Sequence, residues 1–178
     1  MLEWGLGALA LALAAALVVL FNQLIAARNQ VRAAWSDIDV QLTRRHDLVP
    51  QLVAAVQGYA SHERATLEAV TALRQQALQA VALDDKARIE AALAQQVNRL
   101  LALQENYPEL KASANFLQLQ RELVEVEDHL QYARRFYNGA VRELNNHIET
   151  FPSMIVARLA RFTPAEFYRH GEEQDAPA

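Results

Sequence analysis

The chain opens on an apolar run, Trp4 to Phe21, and after Glu3 no charged residue appears until Arg28. About 20 apolar residues rising roughly 1.5 Å each cross a hydrocarbon layer of about 30 Å, so this run predicts a membrane-spanning helix. A cleaved signal peptide would instead need a basic n-region, a short apolar core and a small-residue cleavage site. Here the first residues are Met1-Leu2-Glu3, and Asn22 to Arg28 continue a helical pattern without a turn residue. A retained anchor over residues 1–27 is expected. Arg28, Arg32, Arg44 and Arg45 follow it, whereas its N-terminal side carries only Glu3 and the α-amino group. By the positive-inside rule, that asymmetry expects the remainder on the cytoplasmic side of a bacterial inner membrane. Asp37, Asp39 and Asp47 stand among the arginines and dilute the signal.

Beyond the anchor the apolar positions keep helical spacing. Val31, Trp35, Ile38, Leu42, Val49, Val53 and Val56 form one stripe. Pro50 lacks an N–H and crowds the carbonyl four residues back, so a kink or restart is expected at residues 46–50, with Asp47 as cap. Leu67, Val70 and Ala77 carry the stripe on, past a weak patch at Ser61–Arg64. Asp84 is expected to cap a shorter helix presenting Ile89, Leu93, Val97, Leu100 and Leu103, which Pro108 terminates. Asn115 with Gln118 reads as a capping box. In the helix it starts, Phe116, Leu123, Leu130, Tyr137, Leu144 and Phe151 recur every seven residues, and Leu119, Val126, Ala133 and Ala140 fill a second seam. Such a repeat predicts coiled-coil-like packing. It could drive self-association into a homo-oligomer. In a chain with other amphipathic helices to cover, an intramolecular antiparallel bundle is the expected outcome. A short basic amphipathic segment, Met154 to Phe162, comes last. The expected fold is therefore all-α: an anchor at 1–27 continuing into a bundle of long helices at 28–162, then a mostly disordered tail at 163–178, beginning in earnest at Gly171.

Composition narrows the function. With 17 Lys and Arg against 21 Asp and Glu the chain is mildly acidic, which argues against nucleic acid as a partner. It has no cysteine, so thiolate chemistry and disulfides are excluded. Glycine is scarce, and no phosphate-cradling loop or nucleophile elbow occurs. Helical bundles can hold di-iron sites through Glu-x-x-His pairs. The residues three before the five histidines are Thr43, Tyr59, Val126, Leu144 and Phe167, so none qualifies. His62-Glu63-Arg64-Ala65-Thr66 starts like a zinc-protease motif but has Thr66 in place of the second histidine. Glu125, Glu127, Asp128 and His129 read as a solvated face opposite the seam. No enzyme, metal or cofactor is expected.

Two polar features stand out. Arg44, Arg45 and Asp47, beside Pro50, are candidates for binding a protein partner; the blander reading has solvated arginines and a capping aspartate. Arg28, Arg32, Arg158 and Arg161 are candidates for the membrane surface.

The motifs resemble those of a known family. Ala34-Trp35-Ser36-Asp37-Ile38-Asp39-Val40-Gln41-Leu42, Arg44-Arg45-His46-Asp47-Leu48-Val49-Pro50, Gly58-Tyr59-Ala60 and His62-Glu63 are similar to the signature of the bacterial LemA family. So are Tyr107-Pro108-Glu109-Leu110-Lys111, Asn115-Phe116, Ala133 to Asn138 and Phe151-Pro152. The resemblance implies a single N-terminal anchor, a LemA-like antiparallel bundle and no established catalytic residue. It also implies association by neighbourhood with membrane-bound zinc metalloproteases, and a relative that serves magnetosome membranes. Two readings stay open. One is a non-enzymatic membrane-anchored scaffold or adaptor for protein partners, a membrane metalloprotease or its own oligomer among them. The other is a membrane-shaping or lipid-sensing protein at the bilayer surface.

Overall fold

The computed structural model describes residues 2–169. Among them the chain is all-α, without a strand. Helix α1 spans Leu2–Gln57, α2 Arg64–Gln79, α3 Leu83–Ala102, α4 Pro108–Lys111, α5 Ala114–Glu149 and α6 Ser153–Leu159, with a 3₁₀ turn at Leu103–Glu105 between α3 and α4. The chain divides into two compact units. Among the described residues, one combines those up to Ser36 with Arg134–Phe167; the other holds Asp37–Ala133 with Tyr168 and Arg169. Helices α1 and α5 each supply residues to both.

The restart expected at residues 46–50 does not occur. α1 runs through Pro50 and ends at Gln57, and the chain turns at 58–63, overlapping the patch at Ser61–Arg64 that had looked merely weak. Proline removes the N–H that would have reached the His46 carbonyl. In its place Arg74 of α2 donates from Nε to that carbonyl at 2.7 Å. An arginine from a neighbouring helix thus satisfies the acceptor that proline leaves open, and α1 has no need to restart. Asp47 consequently lies mid-helix and exposed, and does not cap.

Two further caps differ from expectation. α3 begins one residue ahead of Asp84, so Asp84 and Asp85 sit in its first turn and favour the helix dipole from there. α5 begins at Ala114, before Asn115. The side chain at its entrance is Ser113, whose hydroxyl accepts from the Phe116 N–H at 3.4 Å.

The core of the second unit follows the stripes. Ile38, Leu42, Val49, Leu52 and Val56 of α1, Leu67, Val70 and Ala77 of α2, and Leu93, Val97 and Leu100 of α3 are buried. So are Phe116, Leu119, Leu123, Val126 and Leu130 of α5. Each large apolar side chain so buried contributes about 1.5–3 kcal/mol. Helices α2 and α3 pack side by side across the short 80–82 connection.

In the first unit Trp35 meets Tyr137 edge-on at 5.7 Å, and Phe21 meets Phe162 at 6.3 Å. Val156 and Ala157 of α6 close on Leu24. The heptad holds through Leu144 and fails at Phe151, which is 76% exposed because α5 has ended at Glu149. Residues 163–167, expected to begin a loose tail, are fixed against α5: Asn145 accepts from the Ala165 N–H at 2.8 Å and donates to its carbonyl at 3.0 Å. Gly171 and the residues after it lie outside the described residues.

Candidate functional site

The unusual chemistry of the chain gathers inside the second unit. Four charged or titratable side chains from three helices meet there: Arg45 and His46 of α1, Glu90 of α3 and Glu127 of α5. Glu90 is 0% exposed and Arg45 3%. Arg45 Nη1 donates to Glu90 Oε2 at 3.2 Å, and its Nη2 donates to Glu127. Glu90 Oε1 lies 2.7 Å from His46 Nε2. The His46 carbonyl is the one held by Arg74. At the rim, Arg44 reaches Glu125 at 3.2 Å and Lys86 approaches Asp39 at 3.7 Å.

Helical geometry explains the convergence. Arg45 and His46 are consecutive, so they diverge by about 100° around α1 and meet different oxygens of Glu90, Arg45 reaching Glu127 as well. Glu90 stands between Ala87 and Leu93 on the buried face of α3. Glu125 and Glu127 straddle the buried Val126 on α5 and receive one arginine each.

The structure thus joins two clusters that the sequence presented separately. The acidic group on α5 is not simply a solvated face, because Glu125 and Glu127 are the counter-charges of Arg44 and Arg45. Of the three candidate partner-binding residues, Arg45 is interior, whereas Arg44 is half-exposed and Asp47 is exposed. Of the candidate membrane-surface residues, Arg32, Arg158 and Arg161 are exposed, and Arg28 lays its guanidinium 5.2 Å from the centre of the Phe162 ring. Sequence reasoning missed Glu90. Its stripe of Leu93, Val97 and Leu100 is buried as expected, but Ile89 is only partly so and Glu90 takes the fully buried place beside it; the available signal was an acid in phase with those three residues.

Chemically the cluster is closed. Both oxygens of Glu90 are engaged, and the residue has no exposed surface through which to meet a substrate. A cavity of about 140 Å³ opens beside Arg45 and Glu127, between Val97, Asn98 and Leu101 of α3 and Leu123 and Asp128 of α5. Its lining includes no serine, cysteine or histidine. Among the described residues no group of three or more metal-ligating side chains is arranged to hold an ion. What the arrangement does is pin α1, α3 and α5 in one register: breaking such a buried pair costs about 3–5 kcal/mol, whereas forming it adds little net stability.

Outside this unit, α1 is the one helix among the described residues that is long and apolar enough to cross a membrane. Its most apolar stretch is wholly unburied by the rest of the protein.

Comparison with known proteins gives a consistent picture. The model of the LemA family matches residues 34–178. Protein LemA of Metamycoplasma hominis is 30% identical over 141 residues, covering 77% of this chain and 63% of that protein. The chain therefore spans a little under two thirds of that relative's length. Two magnetosome proteins of Paramagnetospirillum magneticum, MamQ 1 and MamQ 2, are each 23% identical over 189 residues, covering 92% of this chain and 70% of theirs.

Proposed function

Because the chain belongs to the LemA family, we propose that it is a non-enzymatic helical scaffold, anchored by a single pass of α1, that presents its packed helices to protein partners from the cytoplasmic side. Family membership and the apolar helix point to membrane association, and the family is not known for an enzymatic activity.

The observation that carries the reading is a division of labour within α1. Its N-terminal stretch leaves Trp4, Leu9, Leu13 and Val18 uncovered, while from Leu24 onward it buries a regular stripe. Uncovered apolar surface of that extent on a soluble protein would drive aggregation; in a bilayer it is solvated. The charged residues near Pro50, the other candidate for chemistry, are mostly spent on one another. What they leave at the surface is Arg44 and Asp47, which lie three residues apart on neighbouring turns of α1. That rim is the proposed protein contact, and a membrane protease is the partner class to try first.

Photo-crosslinking in native membranes tests the proposal. A crosslinker at Asp47 is expected to trap one partner in stoichiometric yield, and one at Arg99 is expected to trap none. Release of the full chain by alkaline carbonate without detergent would overturn the anchor. Equal, non-specific labelling from both positions would overturn the scaffold reading.

A further inference from the structure

Helix α6 has two unlike faces. Ser153, Val156 and Ala157 are buried, and the two apolar ones pack on Leu24 with Leu20, Ile148 and Phe162 around them. At about 100° per residue, Ile155 and Leu159 fall one turn apart on the opposite face. They are 47% and 78% exposed, and Phe151 stands uncovered just ahead of them. Arg158 and Arg161 flank this ridge, and no acidic residue occurs between Thr150 and Pro164.

The level of the ridge along α1 gives it meaning. Leu24 lies 20 residues beyond Trp4, roughly 30 Å along a helix and hence at the far edge of a hydrocarbon layer. α6 is fastened at that level. Its C-terminus closes with the Phe162 N–H on the Ala157 carbonyl and the Arg161 N–H on the Arg158 carbonyl. This closure puts Arg161 at φ 54°, in the left-handed region where glycine is usual. The turn aims Phe162 back at Phe21 and under the Arg28 guanidinium. The outer ridge therefore emerges where lipid headgroups surround the exit of α1.

We propose that Phe151, Ile155 and Leu159 form an interfacial collar seated in the headgroup layer around α1, with Arg158 and Arg161 pairing with anionic lipid phosphates. The proposal rests on α1 being the anchor. Apolar side chains at the headgroup–acyl boundary are buried there as they are not in water, and arginines can extend from the same segment to phosphate. Lipid fits better than a second copy of the chain, because a two-fold contact through this ridge would set its arginines against their own equivalents.

The absence of native cysteine makes the test direct. The full chain, carrying a single environment-sensitive dye at Leu11→Cys, Ile155→Cys, Leu159→Cys or Asp84→Cys, is reconstituted in phosphatidylcholine vesicles with or without a third of phosphatidylglycerol. Quencher-bearing lipids then report depth. The dye at Leu11 should be quenched from mid-bilayer, those at Ile155 and Leu159 from the headgroup boundary, and that at Asp84 not at all. Anionic lipid should deepen the boundary quenching, and Arg158→Glu with Arg161→Glu should abolish that gain, each arginine being worth roughly fivefold in lipid-contacted population. Quenching at Leu11 but not at Ile155 or Leu159 overturns the collar and leaves the anchor intact. Ridge quenching or dye burial that appears only as protein density rises assigns the ridge to a second copy and overturns the collar too. No quenching at Leu11 overturns the anchor reading itself.

Discussion

The two units solve the same problem with different chemistry. In the unit built from Asp37–Ala133, α1, α3 and α5 are cross-tied by charges in the interior: Arg45 and His46 on Glu90, and Arg45 on Glu127. In the unit that contains the apolar end of α1, aromatic edges and neutral hydrogen bonds stand out, Trp35 on Tyr137, Phe21 on Phe162 and Asn145 on Ala165, beside the Arg28 guanidinium over Phe162 and a buried Arg134. Helices with smooth Leu and Val stripes can slide by a turn at little cost, whereas a buried carboxylate that must meet both a guanidinium and an imidazole permits one register. The difference is that the Glu90 network ties three helices in register, whereas contacts such as Asn145 on Ala165 close the chain locally.

The sharpest way to break the comparison is Glu90→Leu. Leucine fits the apolar face of α3, but Arg45 loses its enclosed counter-charge and His46 its partner. A loss of about 3–5 kcal/mol is expected, read as a large fall in the denaturation midpoint of the full chain in detergent. Combining it with Arg45→Met and His46→Leu should restore most of that loss, because an apolar replacement of the whole network leaves no stranded charge. If the single variant melts like the parent, the network is decoration. If the triple variant fails to recover, the charges supply net stability rather than register.

How far the sequence could foresee this depends on the range of each interaction. The apolar N-terminal helix, the apolar stripes and the heptad through Leu144 are local patterns, so neighbouring residues announce them. Pro50 was misjudged because its consequence depends on Arg74, 24 positions away, reaching the carbonyl that proline leaves free. Glu90 was missed because Ile89 and Glu90 both lie within reach of the Leu93, Val97 and Leu100 face, and the counter-charges that let the acid take the buried place come from distant α1. The pairing of Arg44 and Arg45 with Glu125 and Glu127 joins positions about 80 residues apart. Composition shows both clusters; only the packing of α1 against α5 shows that they face each other. Phe151 was placed in the seam by spacing alone, although Pro152 beside it had already marked the end of the helix.

A smaller and more local effect is expected from Asn145→Ala. The asparagine acts as a backbone mimic, donating to and accepting from Ala165, and two such bonds amount to about 1–3 kcal/mol. Unlike Glu90→Leu, this change should leave global unfolding nearly untouched and speed amide exchange at residues 163–167. Proteolysis confined to that stretch would report the same release. A global destabilisation equal to that of Glu90→Leu would erase the contrast between a register-setting tie and a closing one.

The least visible difference concerns Tyr137, which reports through pH how closed its own contact is. Its hydroxyl donates to the Glu166 carbonyl at 3.0 Å. Burial first, and the nearby Glu166 charge second, push its ionisation above the usual value of 10.0. Below that value the phenol is protonated whether the chain is folded or not, so it contributes no pH dependence there. Above it, the unfolded chain releases the proton before the folded one does, and the stability associated with the neutral phenol is lost as pH climbs through the raised value. Tyr137→Phe cannot ionise and lacks the hydrogen bond, so it should be less stable by about 0.5–1.5 kcal/mol near neutrality. That gap should stay constant from pH 7 to pH 10 and narrow above it, with every other titrating group cancelling between the two proteins. A gap that holds through pH 11 would mean that the folded phenol ionises as freely as the unfolded one. The Tyr137 contact would then be solvent-open, and the closing role assigned to it would fail at its own test residue.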